Sequence, residues 1–201
     1  MNIMIKIRAI IFSFFVITFT SLNAYDSNPE IFVSELVKDV IQKLSDKNIN
    51  DKEKAEFIEK IASENVDINA LSLYTLGELR KTTNKEILNK YQYIFQKYFL
   101  KSLTSRLIDY SSSEFKVIGS DKKSSNYTIV KSKIPKADNK PGIIIDWRIY
   151  TKNVEKPLIR DLIVEGLSLA RTQKEEFSSI LSSNNNDINI LIAKLEEFIK
   201  S

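Results

Sequence analysis

The sequence contains no cysteine and no histidine. The first absence excludes a disulfide framework, a zinc–thiolate site and an iron–sulfur cluster. The second removes the Ser-His-Asp triad, histidine metal ligands and the imidazole proton shuttle. Glycine and proline are scarce, four of each in 201 residues, which excludes collagen-like and low-complexity architecture. No Gly-rich phosphate loop and no metal-ligand spacing is visible, so neither a metal nor a cofactor is expected. Nor is there a compact basic stripe interleaved with aromatics, which argues against a nucleic-acid partner. No internal repeat or long linker interrupts the chain, and its length suits one domain behind a processed end.

That end is the N-terminus. Met1 to Arg8 carries two positive charges, Lys6 and Arg8, and no negative ones. Ala9 to Phe19 is apolar except for Ser13 and Thr18, and Ser21-Leu22-Asn23-Ala24 closes on a small residue. A basic start, a short apolar stretch and a small residue at the cut read as a cleavable secretory signal peptide over residues 1–24. The apolar stretch falls short of the ~20 residues that span a bilayer, which disfavours a retained anchor. Removing Lys6 and Arg8 with the leader lowers the net charge from +4 to +2, so the basic balance is partly the leader's.

The remaining residues, 25–201, divide into a helical first half, a strand-rich middle and a helical tail. After Pro29, the apolar positions Phe32, Val33, Leu36, Val37, Val40, Ile41 and Leu44 fall on one helical face. Asn50 to Glu53 has capping-box spacing and opens a second helix with Phe57, Ile58 and Ile61 inward. A third helix is expected from Asp67 through Leu71, Tyr74, Leu76 and Leu79, with Gly77 inside it for a packing reason. Thr83 to Glu86 reads as another capping box. It opens a long aromatic-rich helix through Tyr91, Phe95, Phe99, Leu103, Leu107 and Ile108, ending at Ser111-Ser112-Ser113.

The period then changes to two. Phe115–Ile118, Asn126–Ile134, Gly142–Lys152 and Leu158–Gly166 read as four strands. Their connections are too short for parallel crossovers, so an antiparallel meander is expected. Ile143, Ile145, Trp147 and Ile149 share one face of the third strand. In the fourth, Leu158, Leu162 and Val164 oppose Asp161 and Glu165, while Arg160 interrupts the apolar face and Ile159 and Ile163 sit on the polar one. Thr172 and Asp187 can cap two closing helices. The expected fold class is α+β: a four-stranded antiparallel sheet with helices packed on one face.

Asp161-Leu162-Ile163-Val164-Glu165-Gly166-Leu167-Ser168-Leu169, followed by Thr172 to Phe177, resembles the signature of the toluene-tolerance or MlaC family. Ala70 to Gly77 is similar to that family's helix ending in Leu-Gly. Tyr91 to Leu107 is similar to its aromatic helix, and Leu181 to Ile199 to its closing helices. The chain departs from the pattern at Pro157 and Arg160, where the family usually has Trp and Tyr. The resemblance covers residues 25–201 and implies a periplasmic phospholipid carrier with no enzymatic activity. Such a carrier holds acyl chains in an apolar cavity between sheet and helices. Its partners are an outer-membrane lipoprotein complex and an inner-membrane ABC transporter, and passing lipid between them maintains outer-membrane lipid asymmetry.

By spacing alone, the stripe Phe95, Phe99, Leu103 and Leu107 reads as packed core, since packed interiors are the default. The resemblance instead makes it a cavity wall. With it go Phe57, Ile61 and Leu76 from the earlier helices, and Ile145, Trp147, Ile149, Leu162 and Val164 from the sheet. Asp161 and Glu165, four apart on a strand, can do acid–base work. With no nucleophile beside them, they read instead as a solvated strand face or a turn contact. Gly166 reads as a residue of backbone geometry and Ser168 as a hydrogen-bonding residue at the strand-to-helix bend. Arg148, Arg160, Arg171 and Lys174 are candidate headgroup contacts near the mouth, against the alternative of ordinary surface charge. Two other function classes remain open on the residues: a hydrolase or isomerase on a cone-like α+β scaffold, and a surface-binding adaptor. A carrier of another lipid, such as a hopanoid, is the related possibility.

Overall fold

Asn28 starts the first helix by accepting hydrogen bonds from the Glu30 and Ile31 amides, with Pro29 at the first helical position. In the computed structural model, which describes residues 25–107, 114–136 and 142–201, the helix α1 runs Pro29–Ser45. Asn50 and Glu53 form the expected capping box, and α2 runs Asp51–Asn65. Next come α3 (Ile68–Thr75), the single turn α4 (Leu79–Thr82) and the long α5 (Lys85–Leu107). Strands β1 (Lys116–Ser124), β2 (Tyr127–Ile134), β3 (Ile143–Tyr150), β4 (Leu158–Val164) and β5 (Leu167–Ser168) follow, then α6 (Leu169–Ser182) and α7 (Ile188–Lys200). The expected leader, residues 1–24, and the expected helix end at Ile108 to Ser113 lie outside the described residues. Among the described residues, no helix is long and apolar enough to cross a membrane.

The sheet is an antiparallel meander in the order β1-β2-β3-β4-β5, with a short fifth strand beyond the four expected. Glu165 and Gly166, at φ 49° and 81°, form a two-residue turn that folds Leu167 back against Val164. Nothing lies within 4 Å of where a Gly166 Cβ would stand, so this glycine answers a backbone requirement rather than a close approach. The first strand is also longer than expected. It continues through Ser120 to Ser124 and leaves only Ser125 and Asn126 to turn into β2.

Several helix boundaries move. Gly77 is not inside α3. At φ 60° it follows the C-cap Leu76 and stops the helix in the left-handed conformation. Asn84 rather than Thr83 caps α5, through the Ile87 amide. Ser168 rather than Thr172 caps α6, which therefore begins four residues earlier. In each case a neighbouring polar residue is equally able to cap, and local sequence does not choose between them.

Two apolar cores result. In one, Phe32, Val33 and Leu36 of α1 meet Val130, Trp147, Ile149 and Ile159 on the inner sheet face. In the other, α3, α5, α6 and α7 enclose Tyr91, Phe95, Phe177, Leu181, Leu191 and Ile192. Tyr91 is fully buried, and its hydroxyl lies 2.8 Å from Thr75 Oγ1, which donates to the Ser72 carbonyl. Burial pushes the Tyr91 phenol above its ordinary value near 10, and burial with Asp39 does the same to Tyr25. The folded chain therefore keeps these protons at pH values where the unfolded chain loses them. Stability from this source is complete below pH ~10 and declines as the pH rises further. Urea unfolding at pH 8 and pH 10.5 is expected to show that decline, smaller in Tyr91→Phe. Equal stabilities in the wild-type protein at the two pH values would count against these buried phenols.

Candidate functional site

The two cores do not meet everywhere. Between the inner sheet face and helices α1, α2, α5 and α6 lies a cavity of about 510 Å³. Leu36, Val40 and Leu44 of α1 and Ile58, Ile61 and Ala62 of α2 form its closed end. Phe95, Phe99, Leu103 and Leu107 of α5 supply a side wall, at the i, i+4 spacing that stacks side chains along one helix face. The facing wall is the sheet, through Ile145, Trp147, Ile159, Leu162 and Val164. The first turns of α6 complete the enclosure.

Of the twelve residues expected to line a cavity, Ile61, Phe95, Phe99, Leu103, Leu107, Ile145, Trp147, Leu162 and Val164 do so. The structure places the other three elsewhere. Phe57 is half-buried on α2, one position round the helix from Ile58, with the Lys43 ammonium 5.9 Å from its ring centre. Leu76 packs into the helical core, because α3 ends before it. Ile149 is fully buried under α1, farther along β3 than the cavity reaches. Conversely, the α1 stripe from Leu36 to Leu44 lines the cavity. Its periodicity was visible, but nothing in it distinguishes a wall from a core.

Ile159 is a further lining residue that strict alternation assigns to the polar face. The pairing of β3 with β4 runs Arg148↔Asp161 and then Ile149↔Ile159, leaving Arg160 as the extra residue of a bulge. The bulge resets the alternation. Ile159 turns inward to the cavity, while Arg160 and Ile163 turn to the outer groove of the sheet. Arg160 is thereby removed from the mouth. Its Nε donates to Asp67 Oδ2 at 2.8 Å and its guanidinium stacks 3.4 Å from the Tyr150 ring centre. Arg148 also lies on the outer groove, and Lys174 sits 5.3 Å from the Tyr74 ring centre.

Asp161 corrects the expectation of a solvated carboxylate. Its side chain is 1% exposed. Oδ2 accepts from Ser168 Oγ at 2.6 Å and Oδ1 from the Ala170 amide at 3.0 Å, while Ser168 Oγ itself accepts from the Arg171 amide. The carboxylate thus binds the first turn of α6 to β4, at the helix end that favours negative charge. Glu165 makes the turn contact considered for it, accepting from the Ile144 amide.

Polar groups gather at the other end of the cavity. Tyr98 donates to Gln173 Oε1 at 3.0 Å and Gln173 Nε2 donates to Glu176 Oε2 at 2.8 Å. Burial and the Glu176 charge raise the Tyr98 phenol, and the hydrogen bond to Gln173 and then Arg106 partly oppose them. Arg106, Leu169, Thr172 and Glu176 line the cavity and are exposed, which locates its opening between the end of α5 and the start of α6. A mostly apolar interior with a cluster of polar groups at one rim suits a ligand with a long apolar part and a polar end. Each methylene moved from water onto such walls gains about 0.8 kcal/mol.

Two outcomes follow from this geometry. Asp161→Ala leaves Ser168 and the Ala170 amide without their buried acceptor, and is expected to lower the unfolding free energy by about 2–3 kcal/mol. An unchanged denaturation midpoint would remove Asp161 from that role. Trp147, the only tryptophan, stands in the cavity wall with its indole N–H 2.9 Å from Ser132 Oγ. Its emission is expected to shift to the blue when an apolar probe fills the cavity, and an emission spectrum indifferent to a bound probe would mean that the indole does not face it.

The comparisons with known proteins fit this architecture. A family model described as MlaC protein matches residues 33–197. Among solved structures, the chain is similar to a phospholipid-binding protein from Ralstonia solanacearum, solved in complex with a phospholipid. The TM-score is 0.70 at 15% identity, over 87% of this chain and 97% of that one. At that identity the likeness speaks for the fold. No curated protein matches the sequence significantly.

Proposed function

The chain belongs to the MlaC family, and from that membership we propose that it is a phospholipid-binding carrier, not an enzyme. Residues 25–201 form a single lipid-binding domain, delivered to the periplasm by a cleaved leader at 1–24. There it passes lipid between an outer-membrane lipoprotein complex and an inner-membrane ABC transporter, which maintains outer-membrane lipid asymmetry. The observation that carries the reading is the cavity itself. Its walls present apolar side chains of α1, α2, α5 and the sheet to about 510 Å³ of space, and apolar surface left in water forfeits about 25 cal/mol per Å². Acyl chains fill such a space with the contacts its walls lack, and the polar rim leaves a headgroup in water. The phospholipid held by the Ralstonia solanacearum protein of the same fold supports the choice of ligand.

A structural role for the two carboxylates supports this reading: Asp161 accepts from Ser168 and the Ala170 amide and lies 3.6 Å from Arg148, and Glu165 accepts from the Ile144 amide.

Native mass spectrometry of residues 25–201, purified without detergent, is expected to show a discrete adduct that extracts as phospholipid. Leu103→Trp and Ile145→Trp, which add bulk to opposite walls, are expected to stay folded while losing most of that adduct. A clean mass with no uptake from vesicles would overturn the carrier reading in favour of an adaptor. Folded tryptophan variants that load as well as the wild-type protein would reassign those walls.

A further inference from the structure

Helix α2 presents Ile58, Ile61, Ala62, Asn65 and Val66 to the cavity, the i, i+3, i+4, i+7, i+8 stripe of one helix face. Asn65 stands where that stripe calls for an apolar residue, and it is only 9% exposed. Its Nδ2 donates to the Ile61 carbonyl at 2.9 Å. Turning the amide over would set two acceptor oxygens against each other, so this contact fixes which end of the amide faces the helix and which is left over.

The end left over is Oδ1, and a buried amide oxygen ordinarily has a donor. Among the described residues none reaches it: the hydrogen bond to Ile61 is the one the Asn65 side chain makes. Nor is Oδ1 sealed in packed core. Among the described residues, the one wholly enclosed side-chain polar atom without a partner is Thr104 Oγ1. Oδ1 therefore borders open space, and the open space beside Asn65 is the cavity. The other buried polar side chains on the cavity walls are engaged. Thr75 Oγ1 donates to the Ser72 carbonyl and meets the Tyr91 hydroxyl, and Asp161 accepts from Ser168 and the Ala170 amide. The rim residues Arg106, Thr172 and Glu176 belong to α5 and α6, whereas Asn65 lies on α2, one turn beyond Ile61 of the closed end. A headgroup at the rim therefore does not supply the missing donor. It has to come from the part of the ligand inside the cavity, and a chain of methylenes has none.

We propose that Asn65 Oδ1 is the acceptor for a hydroxyl carried on the acyl part of the ligand, so that the cavity selects lipids with a hydroxylated chain over plain ones. This deepens the carrier reading and rests on it. A hydroxyl that reaches Oδ1 exchanges its bond to water for one inside the cavity, whereas a plain chain leaves the buried oxygen unpaired. A site built to bond a hydroxyl discriminates against the analogue that lacks it for that reason. Because the acceptor is fixed on the helix, only a hydroxyl at the matching depth along the chain gains the bond.

The test offers the protein vesicles of phosphatidylethanolamines that differ in one chain, either stearoyl or hydroxystearoyl with the hydroxyl at successive carbons, and reads the adducts by native mass spectrometry. The wild-type protein is expected to take up one isomer, or two adjacent ones, about fivefold or more over the stearoyl lipid. Asn65→Leu is expected to lose that preference while loading the stearoyl lipid at least as well and keeping the wild-type circular dichroism. Asn65→Ala removes the same acceptor and serves if the leucine variant misfolds. A preference that is the same at every carbon, or that survives in a folded Asn65 variant, would overturn the proposal. Equal loading of every lipid would overturn it too, leaving Oδ1 to a retained water and the carrier reading intact. Protein that loads none of the lipids sinks the carrier reading and this proposal with it.

Discussion

The structure depends on keeping two apolar walls from collapsing onto each other. Protein interiors pack densely by default, and facing stripes of Phe, Leu and Ile close up unless something behind them resists. Here the resistance is packing and hydrogen bonding around the wall side chains, with core behind α5. Phe95 is held from behind by Tyr91, Tyr98 and Phe177, with ring centres 5.9 to 6.3 Å away. Trp147 is fixed by Phe115 edge-on and by the Ser132 hydroxyl, which accepts from the indole and donates to the Ile145 carbonyl. A side chain already satisfied in this way gains little by swinging inward. The cavity is thus a product of packing elsewhere.

The bulge in β4 joins these two bodies. Ile159 points into the cavity, and its carbonyl accepts the Asp67 amide at the junction of α2 and α3. Arg160, displaced outward, binds the Asp67 carboxylate and the Tyr127 hydroxyl. Asp161, next in line, holds the start of α6. Three consecutive residues therefore position the sheet, the α2–α3 corner and the α6 wall relative to one another. The departure from the family's usual Tyr at position 160 has a local account: the guanidinium reaches both Asp67 and the two tyrosine rings, Tyr127 and Tyr150.

Much of this was legible in the residues. Periodicity located the helices and the meander, because apolar positions repeat at 3.6 or 2 residues wherever one face is buried. The α5 stripe and the sheet residues Ile145, Trp147, Leu162 and Val164 could be named as one group on the strength of the family resemblance. The rest was hidden for definite reasons. A bulge changes which face a residue occupies without leaving a mark in composition, so alternation alone places Ile159 outward. Asp161 keeps its face but is buried there by the start of α6, a tertiary contact that strand periodicity does not report. The left-handed stop at Gly77 looks, in sequence, like a glycine tolerated within a helix. Periodicity also reports only that a face is apolar. It does not distinguish Ile149, which is packed under α1, from Ile145, which borders open space.

The last helix bears on how the protein comes into being. The chain's final turns brace α5 from outside: Glu196 lies 3.7 Å from Lys90, Phe198 packs on Tyr98, and the Ile199 carbonyl accepts from Lys101. These contacts join segments about a hundred residues apart, whereas each strand of the meander pairs with its immediate neighbour. Contacts between near neighbours in sequence close quickly, and distant ones must wait for the intervening chain. The hairpins can zip as they emerge, but the α5 wall lacks this bracing until α7 has formed and docked. Completion of the cavity is therefore a late folding event, and anything that fills it rewards the docking of α7 rather than the earlier hairpins.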